Sequence, residues 1–186
     1  MVVIWTKGNN WTKGNKQLGF SLIEMMVVVA LIAIVALIAY PSVMELRYTM
    51  ESKRVEAAFR QGLRLARAQS HISRKDVVIC TLDAMGVCKR DGDTTLTLFY
   101  DNNKNNKKDN DDTIIHQENW HLRYGTILLR TSLTRDYIRY MGDTAKPRGH
   151  IGHLRYCSVS QNSDLSFKVI VNMAGNVRVE RGLVGC

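Results

Sequence analysis

The chain has 186 residues, four cysteines, and 26 lysines and arginines against 17 acids, for a formal charge of +9. That length fits one globular domain with a modest core beside a shorter non-globular segment, and the basic balance favours anionic partners such as DNA or lipid headgroups. No G-x-S-x-G, P-loop or H-E-x-x-H occurs, and His116, His121, His150 and His153 have no evident nucleophile partner or ligand set, so no enzymatic activity and no cofactor are expected.

The chain opens with three lysines (Lys7, Lys13, Lys16), no acids, and a tandem duplication: Trp5-Thr6-Lys7-Gly8-Asn9 recurs as Trp11-Thr12-Lys13-Gly14-Asn15. Phe20 to Tyr40 follows as an apolar run of 21 residues, close to the ~20 that cross a bilayer as a helix. Lysines before the run and no such cluster directly after it place the N-terminus in the cytoplasm and the remainder outside. One carboxylate, Glu24, sits at the mouth of this run. An ionisable group in hydrocarbon costs on the order of 3 kcal/mol or more, and one kept there marks a functional group with a partner to find.

The stretch Lys16-Gln17-Leu18-Gly19-Phe20-Ser21-Leu22-Ile23-Glu24 resembles the class III signal of type IV pilins and pseudopilins. The resemblance implies cleavage by a prepilin peptidase after Gly19, N-methylation of Phe20, and an assembly role for Glu24. It implies that Glu24 pairs with the N-terminal amine of a neighbouring mature subunit. Pro41 falls where many pilins carry a helix-kinking proline. Small residues near Ala39 offer a conventional signal-peptide site instead, but the motif upstream of the run argues against it. The boundaries expected are a leader at 1–19, a transmembrane or filament-core helix at 20–40 and its continuation at 41–73. A periplasmic β-rich domain follows at 74–186. Loss of the leader's three lysines would leave a formal charge of about +6.

From Ser42 to about Ser73 there is no further proline, and only Gly62 interrupts good helix formers. Val55, Phe59, Leu63, Ala66 and Ser70 recur at helical spacing and predict one buried face. Lys53, Arg60, Arg64, Arg67 and Arg74 project from another, read as a solvated outer face in preference to a subunit or DNA contact. Pro41 lacks a backbone donor and predicts a kink near the membrane exit.

After Asp76 the pattern turns to strands: Val77–Cys80, Thr94–Tyr100, Gly125–Arg130, Tyr137–Met141, His153–Ser158, Ser166–Val171 and Asn176–Glu180. Asn172-Met173-Ala174-Gly175 predicts a hairpin turn between the last two. Between Tyr100 and these later strands lies an Asn/Asp/Lys-rich segment, 101–112, whose oxygens partly match a calcium loop. Its Asp at position 12, its Asn at position 6 and its three lysines favour a solvated loop, and no metal site is expected. Four cysteines in an exported domain suggest two disulfides. Of three connectivities, the favoured one joins Cys80 to Cys88 across a short loop and Cys157 to Cys186, stapling the carboxyl end to a strand. One long helix followed by clustered strands predicts α+β architecture, the helix packed on antiparallel sheet.

Leu65-Ala66-Arg67-Ala68-Gln69-Ser70 followed by Val78-Ile79-Cys80, then Tyr137–Gly142, Leu154–Cys157 and Ile170–Arg178, resemble the GspH/FimT family. The resemblance implies a minor pilin or minor pseudopilin. Its partners would be other minor pilins, the major pilin, the prepilin peptidase and, before assembly, the inner membrane. Some FimT-branch members bind DNA through G-[RK]-x-[RK]. Here Gly175-Asn176-Val177-Arg178 keeps half the motif; Lys168 and Arg181 lie on the same hairpin as candidates to compensate, and the sequence does not place them. Arg123, Arg130, Arg135, Arg139, Arg148 and Arg155, interleaved with Tyr124, Tyr137, Tyr140 and Tyr156, suit phosphate contact with base stacking and equally suit ordinary strands with polar outer faces.

Overall fold

The structure is a computed structural model that describes residues 20–182 and 185–186. The leader at 1–19, with Gly19, lies outside the described residues. The chain divides into two compact units, one ending at Pro41 and the other spanning Ser42–Cys186. The described part of the first unit is helical from Leu22, and its side chains are exposed throughout. The helix, α1, is continuous over Leu22–Ser73. Pro41 is accommodated within it and does not end it.

In the second unit α1 buries Ser52, Val55, Glu56, Phe59, Gly62, Leu63, Ala66 and Ser70. The predicted apolar face is thus present, widened by three small or polar positions. Gly62 is there for closeness. A Cβ at this position would lie 3.0 Å from Ile79 Cδ1 and 3.2 Å from Leu96 Cδ2, so its absence lets the helix lie directly on the sheet.

Eight strands follow: β1 Val77–Leu82, β2 Thr95–Tyr100, β3 Thr113–Asn119, β4 Gly125–Thr131, β5 Tyr137–Tyr140, β6 Gly152–Ser158, β7 Phe167–Val171 and β8 Val177–Arg181. They form two four-stranded antiparallel sheets, ordered β3-β2-β1-β5 and β4-β6-β7-β8. All but β3 lie within a residue or two of the predicted spans. The β7–β8 turn closes as expected. Asn172 accepts from the Gly175 amide at 2.9 Å, and Gly175 takes the left-handed φ of 81° that a glycine tolerates.

One core joins the helix to both sheets. Phe59, Leu63 and Ala66 pack with Ile79, Leu96 and Leu98 of the first sheet and with Leu129, Leu154, Tyr156 and Phe167 of the second. The first sheet is buried on its other face as well. There Val78, Cys80, Leu82, Phe99 and Cys88 form a second cluster under the segment that leaves β1. Burial on both faces explains why Val77-Val78-Ile79-Cys80-Thr81-Leu82 reads as a run and not as an alternation. Cys80 is bonded to Cys88 and Cys157 to Cys186, with Cα separations of 5.6 and 5.7 Å. The second bond ties the C-terminus to β6.

Candidate functional site

The apolar segment of α1 has a mean hydropathy of 3.0 over its best window, with one acid in the first turn, Glu24. A carboxylate there complements the positive end of the helix dipole. Phe20 and Glu24 are both exposed, and Glu24 forms no ion pair among the described residues. The segment therefore presents a lipid-compatible surface with a single acidic contact point at one end.

Beyond Pro41, acids on α1 fix the helix to the second sheet. Glu45 accepts from Ser160 Oγ at 3.0 Å. Glu51 accepts from the amides of Arg123 and Tyr124 at 2.9 and 3.1 Å and from the Tyr156 hydroxyl at 2.9 Å. Ser52 Oγ donates to the Leu165 carbonyl at 2.6 Å. Glu56, almost wholly buried, is held by Arg181 at 2.6 Å and Arg60 at 3.2 Å. Sequence reasoning missed this set. The only signal was three acids on a stretch of helix whose other charged residues, from Arg47 to Arg67, are all basic.

These contacts revise the reading of the β7–β8 hairpin. Arg181 does not stand beside Lys168 on an outer surface. It lies on the helix-facing side, where it neutralises Glu56, because alternation along β8 sends Val177, Val179 and Arg181 inward and Arg178 and Glu180 outward. Lys168 and Arg178 do share the outer face. The register aligns Arg130, His153, Ile170 and Arg178 in one row and Leu128, Arg155, Lys168 and Glu180 in the next. Four permanent cations thus meet one carboxylate, Glu180, which is bound to Arg178. Burial first, and then Lys168, Arg130 and Arg155, hold the His153 imidazole below its ordinary range. Arg155 also donates to the Gly185 carbonyl, so the C-terminus lies against part of this face.

The arginine–tyrosine surface does not form. Tyr140 and Tyr156 are fully buried in the core, and Tyr124 is engaged edge-on by Tyr48 at 5.1 Å. Arg139 is spent on Asp76 and Asn106, and Arg148 on Asp143. Tyr137 is half-buried, its ring tilted against His150 at 5.4 Å. The 101–112 segment joins β2 to β3, and its acids cap its own backbone. Asp101 accepts from the Asn105 and Asn106 amides, and Asp112 from those of Asn102 and Asp109. Burial pushes the Asp101 carboxyl up.

An exposed apolar helix with one acid in its first turn, running into an α+β domain with two disulfides, defines a pilin-like, membrane-anchored protein. Residues 14–40 match the prokaryotic N-terminal methylation motif, and residues 57–175 match the family described as type II transport protein GspH. The second match spans more than half of the chain, which therefore belongs to the GspH family. Similar solved structures include the type IV minor pilin FimU of Pseudomonas aeruginosa, at 10% identity over 70% of this chain and 90% of that one, with a TM-score of 0.45. Another is the minor pseudopilin EpsH from the type 2 secretion system of Vibrio cholerae, at 14% identity over 70% of this chain and 97% of that one, with a TM-score of 0.49. No curated protein matches.

Proposed function

We propose that this chain is a structural, non-enzymatic minor type IV pilin that primes or caps pilus assembly together with other minor pilins and the major pilin. The observation that carries the reading is Glu24, a lone carboxylate at the mouth of an uncharged span inside a methylation motif. The prepilin peptidase cleaves after Gly19, and Phe20 is methylated. The chain sits in the inner membrane with its N-terminus cytoplasmic and Ser42–Cys186 periplasmic, until it enters the filament. Two opposite charges at ~4 Å attract by about 4 kcal/mol at an effective dielectric near 20. A subunit amine is therefore a sufficient partner for Glu24. Glu24→Ala is expected to reach the inner membrane at normal levels and to be depleted from sheared filaments. Normal incorporation would sink the reading. The description of the matched family also keeps a minor pseudopilin of a type II secretion system in view. Co-purification with the major pseudopilin and not the major pilin would decide for it.

The outer face of β4-β6-β7-β8 favours a second reading, direct DNA capture supporting DNA uptake. Lys168 and Arg178 belong to it with Arg130 and Arg155, and Arg181 does not. In a mobility-shift salt series, Arg130→Ala and Arg178→Ala are each expected to weaken binding and to lower the salt slope by about one. Arg181→Ala is expected to act on stability instead. No shift at low salt would leave assembly standing alone.

A further inference from the structure

The last turns of α1 carry a feature that neither reading uses. Arg54 and Arg60, earlier on the helix, are paired with Glu118 and Glu56. Arg64 and Arg67 are exposed and have no ion-pair partner among the described residues. They border an open groove of about 440 Å³ between α1 and the turn after β5, with Ala68, Ile72, Thr144 and Ala145. Ile72 is 75% exposed. Arg64 and Ala68, and Ala68 and Ile72, are four residues apart, so cation and apolar surface run along one helical stripe. The acids beside the turn are engaged elsewhere: Asp143 is bonded to Arg148, and Asp76 accepts from the Gly142 amide and pairs with Arg139.

We propose that this groove docks an acidic, amphipathic helical segment of a neighbouring protein subunit. Carboxylates spaced one turn apart meet Arg64 and Arg67, and an apolar side chain between them covers Ala68 and Ile72. This is the helix-in-groove mode with charge complementarity setting partner choice. A phosphate backbone satisfies the arginines but leaves Ile72 in water, which disfavours nucleic acid as the occupant. The proposal involves none of the residues of the assembly or DNA readings, and its test reads binding and not filament incorporation, so they fail separately.

The probe is a labelled synthetic helix with Glu and Leu at i, i+4 spacing, followed by fluorescence anisotropy against the full chain in detergent micelles, with empty micelles subtracted. Saturable binding is expected, weakened about tenfold by the Arg64→Glu, Arg67→Glu double change and severalfold by Ile72→Ser. Restoration by a Lys-for-Glu version of the probe on the double variant would confirm the charge pairing and show that the variant is folded. Lys53→Glu, an exposed change elsewhere on α1, is expected to bind as the unaltered chain does. The proposal is overturned by absent binding or by a double variant that binds undiminished. It is also overturned if a Leu-free acidic peptide binds equally well, or if these substitutions abolish binding of duplex DNA and spare the peptide.

Discussion

At the residue scale, Glu51 ties the helix to the second sheet through three donors. Its carboxylate takes two backbone amides and the hydroxyl of Tyr156, a side chain with no exposure. Burial, with Glu51 adding to it, raises the Tyr156 phenol, which therefore stays a donor. Glu51→Ala strands that hydroxyl and both amides. An expected loss of roughly 1–3 kcal/mol follows mainly from the buried Tyr156 hydroxyl left without its acceptor, since the Arg123 amide is open to water, and it is read from urea unfolding of Ser42–Cys186. Glu51→Gln, which keeps one acceptor, is expected to lose less. His150 makes a pH prediction. It is buried, and burial, then Arg139 and Arg135, push its imidazole down to about 4 against an opposing effect of Asp76. As pH falls below the ordinary value of about 6.5 the unfolded chain takes the proton first, so stability present above 6.5 is lost progressively toward 4. The total is on the order of 3 kcal/mol, at about 1.4 kcal/mol for each pKa unit. His153 shifts the same way, while Asp101 acts oppositely near the low end. Thermal unfolding at about pH 7, 6 and 5 should therefore show a falling Tm that His150→Gln partly flattens. An unchanged slope in that variant would remove His150 from the account.

At the element scale, what could be read in advance followed burial. Strands with one inward face, such as Leu154 and Tyr156 of β6 or Phe167, Val169 and Val171 of β7, leave an alternation that names them. The β3 strand leaves none. It is an edge strand with no buried residue, and Ile114 and Ile115 are followed by His116, Gln117, Glu118 and Asn119. Its pairing comes from β2 and not from its own pattern. Nor does local sequence say that β5 joins the first sheet while β4 and β6 build the second, because that is decided by contacts far apart in the chain. The placement of Arg181 has the same origin: sequence puts it on the hairpin with Lys168, and only the buried Glu56 across from it shows which face it takes. Disulfide spacing carries its own prediction. The Cys157–Cys186 bond closes a separation of 29 residues and Cys80–Cys88 one of 8. By loop entropy, Cys157→Ala with Cys186→Ala should cost about 3–4 kcal/mol, and the other pair about 1 kcal/mol less from the same source. The measurement is the urea midpoint of each double variant. The shorter pair also loses buried sulfur beneath the 83–87 turn, so a larger loss there would assign the difference to packing.

At the scale of the whole molecule, the two units have different sources of stability. Residues 20–41 bury nothing internally and depend on a lipid or protein environment for their exposed apolar surface. Ser42–Cys186 depends on one core in which α1 is the shared partner of both sheets. Phe59 stands at that junction, 1% exposed, and no other residue on the helix contributes as large a buried aromatic. Phe59→Ala should cost about 3–5 kcal/mol, enough to consume a large part of a domain's usual margin. Because Phe59 belongs to one core that holds residues of both sheets, they should be lost together, with a single urea transition and protection of β1 and β7 amides falling in parallel. Membrane insertion should be untouched, since hydropathy over 22–40 and the lysines before it direct that step without any folded domain. The variant is therefore expected in the membrane fraction at normal yield, with residues 42–186 newly sensitive to protease. If β1 keeps its amide protection while β7 loses it, the shared core is the wrong description and each sheet carries its own stability. If the variant instead fails to reach the membrane, the two units are coupled before folding, and the apolar helix does not act as an independent anchor.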